Sequence, residues 1–81
     1  MRIVLLIVIA LLTAPTMAIA LSKHETDIQK INAALPHAKI SRAQRAQVIK
    51  LRDEGRRLHF AHKHGKAEVV LEKAKAILHI H

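Results

Sequence analysis

The first twenty residues constrain the fold most, because their pattern predicts that they are not part of it. Arg2 is followed by an uncharged apolar run, Ile3 to Leu12, and the segment closes on Ala18-Ile19-Ala20. A positive start, a short apolar core and a small-residue ending are typical of a secretory signal peptide. We therefore expect export to the periplasm or cell envelope, cleavage after Ala20, and one small domain in residues 21–81.

A membrane anchor is the alternative for the same segment. No charged residue stands between Ile3 and Leu21, and a membrane-spanning helix needs ~20 apolar residues. The run that ends at Leu12 is shorter than that, and Pro15 follows it as a helix-breaking residue. If the segment is retained, residues 3–21 tether the domain to the membrane.

Residues 21–81 are a short chain that no disulfide can stabilise, because the protein has no cysteine. A domain of this size buries only a modest core. The whole sequence contains two glycines and two prolines, and good helix formers such as lysine, arginine, alanine and leucine dominate residues 21–81. The composition therefore predicts an all-α fold.

Two serines mark predicted helix starts. Ser22 is followed three residues later by Glu25, and Ser41 is followed three residues later by Gln44. Both pairs have the spacing of a capping box, in which each side chain bonds to the other residue's backbone N–H. Pro36 ends the first helix, because the residue before a proline is disfavoured in helical conformation.

Apolar residues recur every three or four positions in three stretches, as on the buried face of a helix. They predict helices over about 22–35, 42–61 and 66–80, with residues His62–Gly65 as the last turn. Short connections make sequential helices antiparallel neighbours. The expected architecture is a short three-helix unit that ends in an antiparallel hairpin.

The last two predicted helices carry small and bulky residues at a regular spacing. Gly55 in mid-helix costs ~1 kcal/mol relative to alanine, so we expect a neighbouring helix to approach it closely. The residues with this spacing, which we expect to pack the hairpin or to line a groove, are Leu51, Gly55, Leu58, Ala67, Leu71 and Ala74.

This spacing resembles a tetratricopeptide repeat, in which a helix with a glycine is followed by a helix with two alanines. Glu54 stands where the repeat has leucine and His79 where it has proline. The stretch from Leu51 to Leu78 is also similar to small exported proteobacterial proteins of unknown function with a single tetratricopeptide-like helical hairpin. The resemblance implies such a hairpin at the C-terminus and the binding of a peptide or protein.

The chain is strongly basic, with 14 Lys and Arg against 6 Asp and Glu and a formal net charge of +8. Such a charge attracts anionic partners, including anionic membrane surfaces. Base stacking on aromatic side chains supports nucleic-acid binding, but Phe60 is the only aromatic residue of the types Phe, Trp and Tyr. We therefore do not expect nucleic acid as a partner.

An enzyme is not expected. A catalytic nucleophile needs a base held beside it, and the few serines and threonines after residue 21 stand at helix starts, where capping accounts for them. Acidic residues stand three positions before a basic one, as in Asp27–Lys30 and Glu54–Arg57. That spacing is typical of solvated ion pairs on a helix surface.

Histidine is the one unusual chemical group, with seven residues in the chain. His59, His62 and His64 gather at the last turn, where they are candidate ligands for Cu, Ni or Zn. The main functional hypothesis is a non-enzymatic exported module that binds a protein partner or associates with itself. The alternatives are a histidine-based metal-binding or acid-responsive protein, and a basic peptide that binds anionic membrane.

Overall fold

Three helices form the part of the chain that the computed structural model describes, residues 22–81. Helix α1 spans Lys23–Ala34, α2 spans Arg42–Phe60 and α3 spans His64–Leu78, and a short 3-10 turn, Leu35–His37, follows α1. The prediction of an all-α, three-helix fold is confirmed for these residues.

The predicted signal peptide, residues 1–20, and the alternative anchor, residues 3–21, lie outside the described residues. Within residues 22–81, no helix combines the length and the apolar character needed to cross a membrane. The longest, α2, has 19 residues and carries charges along its length.

Both serines cap their helices as predicted, and the full capping box is confirmed at Ser41. The Ser22 hydroxyl accepts a hydrogen bond from the Glu25 backbone N–H at 3.2 Å. At the start of α2 the capping box is complete, because the Gln44 N–H donates to Ser41 Oγ at 3.1 Å and the Ser41 N–H donates to Gln44 Oε1 at 3.0 Å. Each cap satisfies backbone donors that the first helical turn leaves unpaired.

The predicted position of the last turn needs a correction. Helix α3 begins at His64, two residues before the predicted start, so Gly65 is helical and lies outside the turn. The chain has changed direction by Lys63, whose N–H donates to the Leu58 carbonyl at 2.9 Å. The His62 N–H donates to the His59 carbonyl at 3.0 Å. These two bonds form a Schellman motif, which places its left-handed residue at His62, with φ of 62°.

Helix α3 ends in the same motif, and therefore stops at Leu78 instead of the predicted Ile80. The Ile80 N–H donates to the Lys75 carbonyl at 3.0 Å, and the His79 N–H donates to the Ala76 carbonyl at 3.1 Å. His79 has the left-handed φ of 58°. A histidine thus closes each of the last two helices, at positions where glycine is more usual.

The core lies where α1 packs across the α2–α3 hairpin. Ile31, Val48 and Leu71 are fully buried and come from the three different helices. Gly55 lets α2 and α3 approach closely, because a Cβ atom on it would lie 2.5 Å from Leu71 Cδ2 and 2.6 Å from Leu71 Cγ.

A buried ion pair joins α1 to α3. Asp27 is 2% exposed and Lys75 is 6% exposed, and Lys75 Nζ donates to Asp27 Oδ1 at 3.0 Å. Lys23 Nζ donates to the other carboxylate oxygen at 2.9 Å, and Glu72 Oε2 lies 2.6 Å from Lys75 Nζ. The expectation of a solvated Asp27–Lys30 pair is therefore wrong, because α3 covers Asp27. The Glu54–Arg57 pair is found on the surface at 4.0 Å.

Candidate functional site: a three-histidine cluster

Three histidines, one from each helix, meet at one end of the molecule. His24 lies in the first turn of α1, His59 in the last turn of α2 and His64 at the start of α3. Each offers one ring nitrogen, and these three nitrogens all lie within 4.8 Å of one another. The tight turn after α2 brings His59 and His64 together, and the packing of α1 adds His24. We call these residues the histidine cluster.

The closest pair is His24 and His59, whose Nδ1 atoms are 3.0 Å apart. A hydrogen bond at that distance needs one Nδ1 that carries a proton and one that accepts it. His24 is buried and the His59 side chain is 14% exposed. The pair is therefore held largely away from solvent, with its two Nδ1 atoms facing each other.

His64 closes the cluster from the solvent side. Its ring stacks on that of His24, with centroids 5.4 Å apart and an interplanar angle of 17°, and its centroid lies 5.5 Å from that of His59. His64 is exposed, so its side chain has room to rotate. The cluster thus combines two fixed imidazoles with one that can adjust.

A carboxylate faces the outer side of His59. Glu25 Oε1 lies 3.7 Å from His59 Nε2, while Nδ1 of the same ring points to His24. Metal-bound histidines commonly present their second ring nitrogen to a carboxylate, which orients the ring and makes the ligand more basic. Glu25 stands in the position of such a partner.

The spacing of the nitrogens matches the size of a metal site. Bonds of about 2.0–2.1 Å in a tetrahedral arrangement place two ligand nitrogens roughly 3.3 Å apart. The 3.0 Å separation between His24 and His59 is close to that value. The His64 nitrogen lies within 4.8 Å of the other two, so a movement of at most about 1.5 Å brings it into the same range. Three imidazoles can therefore reach one ion with little rearrangement of the backbone.

The sequence prediction named two members of the cluster, His59 and His64, and missed the third. His62 lies outside α2, in the turn, with its ring centroid 6.0 Å from that of His64. His62 therefore does not lie on the helix that carries His59. The missed residue is His24, which stands on the apolar stripe of α1, four residues before Ile28. Its position on a stripe that should be buried was the one sequence feature that could have indicated that His24 belongs to the cluster.

The residues predicted to pack the hairpin or to line a groove are mostly interior. Leu71 fills the space beside Gly55, and neither residue is open to a ligand. Five residues of that set are buried and one, Leu51, is half-buried; the five are Gly55, Leu58, Ala67, Leu71 and Ala74.

Comparisons with known protein families, with curated proteins and with solved structures found no match. The likeness to tetratricopeptide-like exported proteins therefore stays a prediction from residue spacing. A function for the chain has to be inferred from the geometry of residues 22–81.

Proposed function

We propose that the protein binds one divalent transition-metal ion through His24, His59 and His64. The observation that carries the proposal is the convergence of three imidazole nitrogens, from three different helices, within 4.8 Å. Imidazole suits Zn(II), Cu(II) and Ni(II), whereas Mg(II) and Ca(II) prefer oxygen ligands. The protein acts as an exported, non-enzymatic metal-binding module.

The three imidazoles favour Cu(II) as the most tightly bound of the three ions. Divalent ions follow a general order of affinity in which Cu(II) exceeds both Ni(II) and Zn(II) at a given nitrogen site. Structural zinc sites usually have four protein ligands, often with cysteine, and this chain contains no cysteine. Three histidines leave at least one coordination position for water or for an exchangeable ligand.

A bound ion would also stabilise the fold, because its ligands come from all three helices. An ion that binds only the folded state adds about 2.7 kcal/mol at a free concentration one hundred times its Kd. For a domain of this size that corresponds to a rise in Tm of roughly 10 °C or more.

Isothermal titration of Cu(II), Ni(II) and Zn(II) into the protein tests this proposal. We expect one ion per chain, with Cu(II) tightest, and an affinity loss of at least about tenfold in His59→Ala and His64→Ala. The matched control is His37→Ala, an exposed histidine at the end of the 3-10 turn, which should leave the affinity unchanged. Binding should weaken in acid, because protons compete for the same nitrogens.

Circular dichroism of each metal-free variant separates a lost ligand from a lost fold. His64 is exposed, so His64→Ala should keep the helical spectrum and still bind more weakly. An affinity that is equal in His64→Ala, His59→Ala and His37→Ala would overturn the proposal, as would the absence of binding heat and of any metal-dependent change in Tm.

A further inference from the structure

A groove runs between α2 and α3 on a side of the hairpin that α1 does not cover. Its cavity volume is about 620 Å3, and all its lining residues belong to α2, to the turn or to α3. Leu58, Val69 and Val70 form the apolar floor, while Arg57, Lys63 and Lys66 supply positive charge around it. We call this surface the basic groove.

The floor of the basic groove exposes apolar area that residues 22–81 leave uncovered. Val69 is 55% exposed, and Val70 beside it is half-buried. Leu58 at the bottom is 5% exposed, so the groove descends to the edge of the core. An exposed apolar surface bordered by polar residues is typical of a site that binds a partner.

The groove carries more positive than negative charge, because its lining includes three cationic residues and one acidic residue, Glu54. In residues 22–81 neither Lys63 nor Lys66 has an acidic side chain within ion-pair distance, and Arg57 has Glu54 at 4.0 Å. A partner that places carboxylates at Lys63 and Lys66 can form ion pairs with both side chains. Such complementarity raises association rates and rejects basic partners, including a second copy of this chain with its net charge of +8.

The shape of the groove suits a helix. The ridges of a third helix pack into the groove between two neighbouring helices, as α1 already does on the other side of the hairpin with Ile28 and Ile31. Helices that bind in such grooves present apolar residues three and four positions apart. Nucleic acid is a poorer fit, because none of the groove-lining residues is aromatic.

We propose that the basic groove binds an acidic amphipathic helix of a protein partner. The apolar stripe of that helix contacts Val69, Val70 and Leu58, and its flanking Asp and Glu side chains pair with Lys63, Lys66 and Arg57. No histidine lines the groove, so this interaction uses none of the residues proposed to bind metal.

Fluorescence anisotropy with a synthetic helical peptide tests the proposal on the metal-free protein. The probe consists of glutamate, alanine and leucine, with its leucines spaced by three and four residues. Two control peptides carry the same leucines with lysine in place of glutamate, or the same composition in scrambled order. We expect binding of the first peptide only, weakened by added salt because surface charges are screened.

Two exposed apolar residues provide matched protein variants. Val69→Glu places a negative charge on the floor of the groove, and we expect it to weaken peptide binding at least about tenfold. Phe60→Glu makes the same change at a residue that is 71% exposed and does not line the groove, and it should leave binding within about twofold. The double variant Lys63→Ala/Lys66→Ala should weaken binding and reduce its salt dependence.

The remaining outcomes overturn the proposal. These are no binding at about 1 mM peptide, equal binding of the scrambled peptide, or equal loss in Val69→Glu and Phe60→Glu. Displacement of the peptide by phosphatidylglycerol vesicles, with vesicle binding that Val69→Glu abolishes, would assign the groove to anionic lipid instead. Circular dichroism of each variant confirms the fold, and the lysine variants keep the test decisive if Val69→Glu unfolds.

Discussion

Replacing Asp27 with alanine is expected to lower the free energy of unfolding by about 3 kcal/mol. The Asp27 carboxylate is 2% exposed and accepts hydrogen bonds from Lys75 at 3.0 Å and from Lys23 at 2.9 Å. Its removal leaves the buried Lys75 ammonium with Glu72 as its acidic partner. A domain of about 60 residues has a total stability of roughly 3–9 kcal/mol, so urea denaturation followed by circular dichroism should show a much weakened fold.

Asp53→Ala is the matched control, because it removes the same carboxylate from an exposed position. Asp53 contacts Arg52 at 3.0 Å with more than half of its side chain exposed, and such surface pairs contribute about 0–1 kcal/mol. We expect a change below about 0.5 kcal/mol. Equal losses in Asp27→Ala and Asp53→Ala would contradict a special role for the buried pair.

Asp27 should also make the stability depend on pH. Burial disfavours the charged carboxylate, but the hydrogen bonds from Lys23 and Lys75 outweigh that effect and hold the pKa of Asp27 below its ordinary value. In the unfolded chain the group returns to about 3.9. Its stabilisation is therefore complete above that value and is lost as the pH falls through the lower pKa of the folded state.

Urea titrations between pH 7 and pH 2 measure this acid dependence, and Asp27→Asn should flatten the part of it that Asp27 causes. Glu72 continues to contribute in that variant, because its hydrogen bond with Lys75 lowers the pKa of the Glu72 carboxyl as well. An unchanged acid dependence in Asp27→Asn would show that Asp27 binds protons equally in the folded and unfolded states.

Gly55→Ala should destabilise the protein by about 2 kcal/mol, although alanine is the better helix former. In a helix interior, alanine is more favourable than glycine by up to ~1 kcal/mol. Its Cβ would lie 2.5–2.6 Å from Leu71, whose side chain is fully buried and tightly packed. Overpacking costs about 1–3 kcal/mol, and a contact this short belongs at the upper end of that range, which leaves a net loss of about 2 kcal/mol after the gain in helix propensity. Thermal unfolding should show a Tm lower by roughly 10 °C.

The second glycine supplies the control for this prediction. Gly65 lies in the first turn of α3, and a Cβ atom there meets nothing within 4 Å. Gly65→Ala should therefore leave the stability unchanged or raise it by up to about 1 kcal/mol. In a Leu71→Ala background the cost of Gly55→Ala should disappear, because the clashing atoms are gone. A stabilised Gly55→Ala single variant would refute the close approach as the reason for glycine.

Much of the local structure was readable from the sequence, because it depends on neighbouring residues. Ser22 and Ser41 predicted two helix starts through bonds that reach only three residues ahead. The start and the end of the third helix were predicted less accurately, since His62 and His79 adopt left-handed conformations that residue type alone does not demand.

Two of the three residues of the candidate metal site could be predicted from the sequence. His59 and His64 are close in sequence, so the turn between them brought both into the prediction. His24 is 35 residues away from its partner His59, and its place depends on how α1 packs across the hairpin. Asp27 was misassigned as a surface residue because its partner Lys75 is 48 positions away.

The sequence by itself determined the three helices, two of their caps and the close approach of the last two helices at Gly55. It could do so because backbone propensity and periodicity act over a few residues. The tertiary structure alone decided how α1 packs across the hairpin. That packing covers Asp27, brings His24 to His59 and His64, and leaves one side of the hairpin open with Val69 exposed. These features join residues that are distant in the chain, and only the contacts of the folded molecule bring them together.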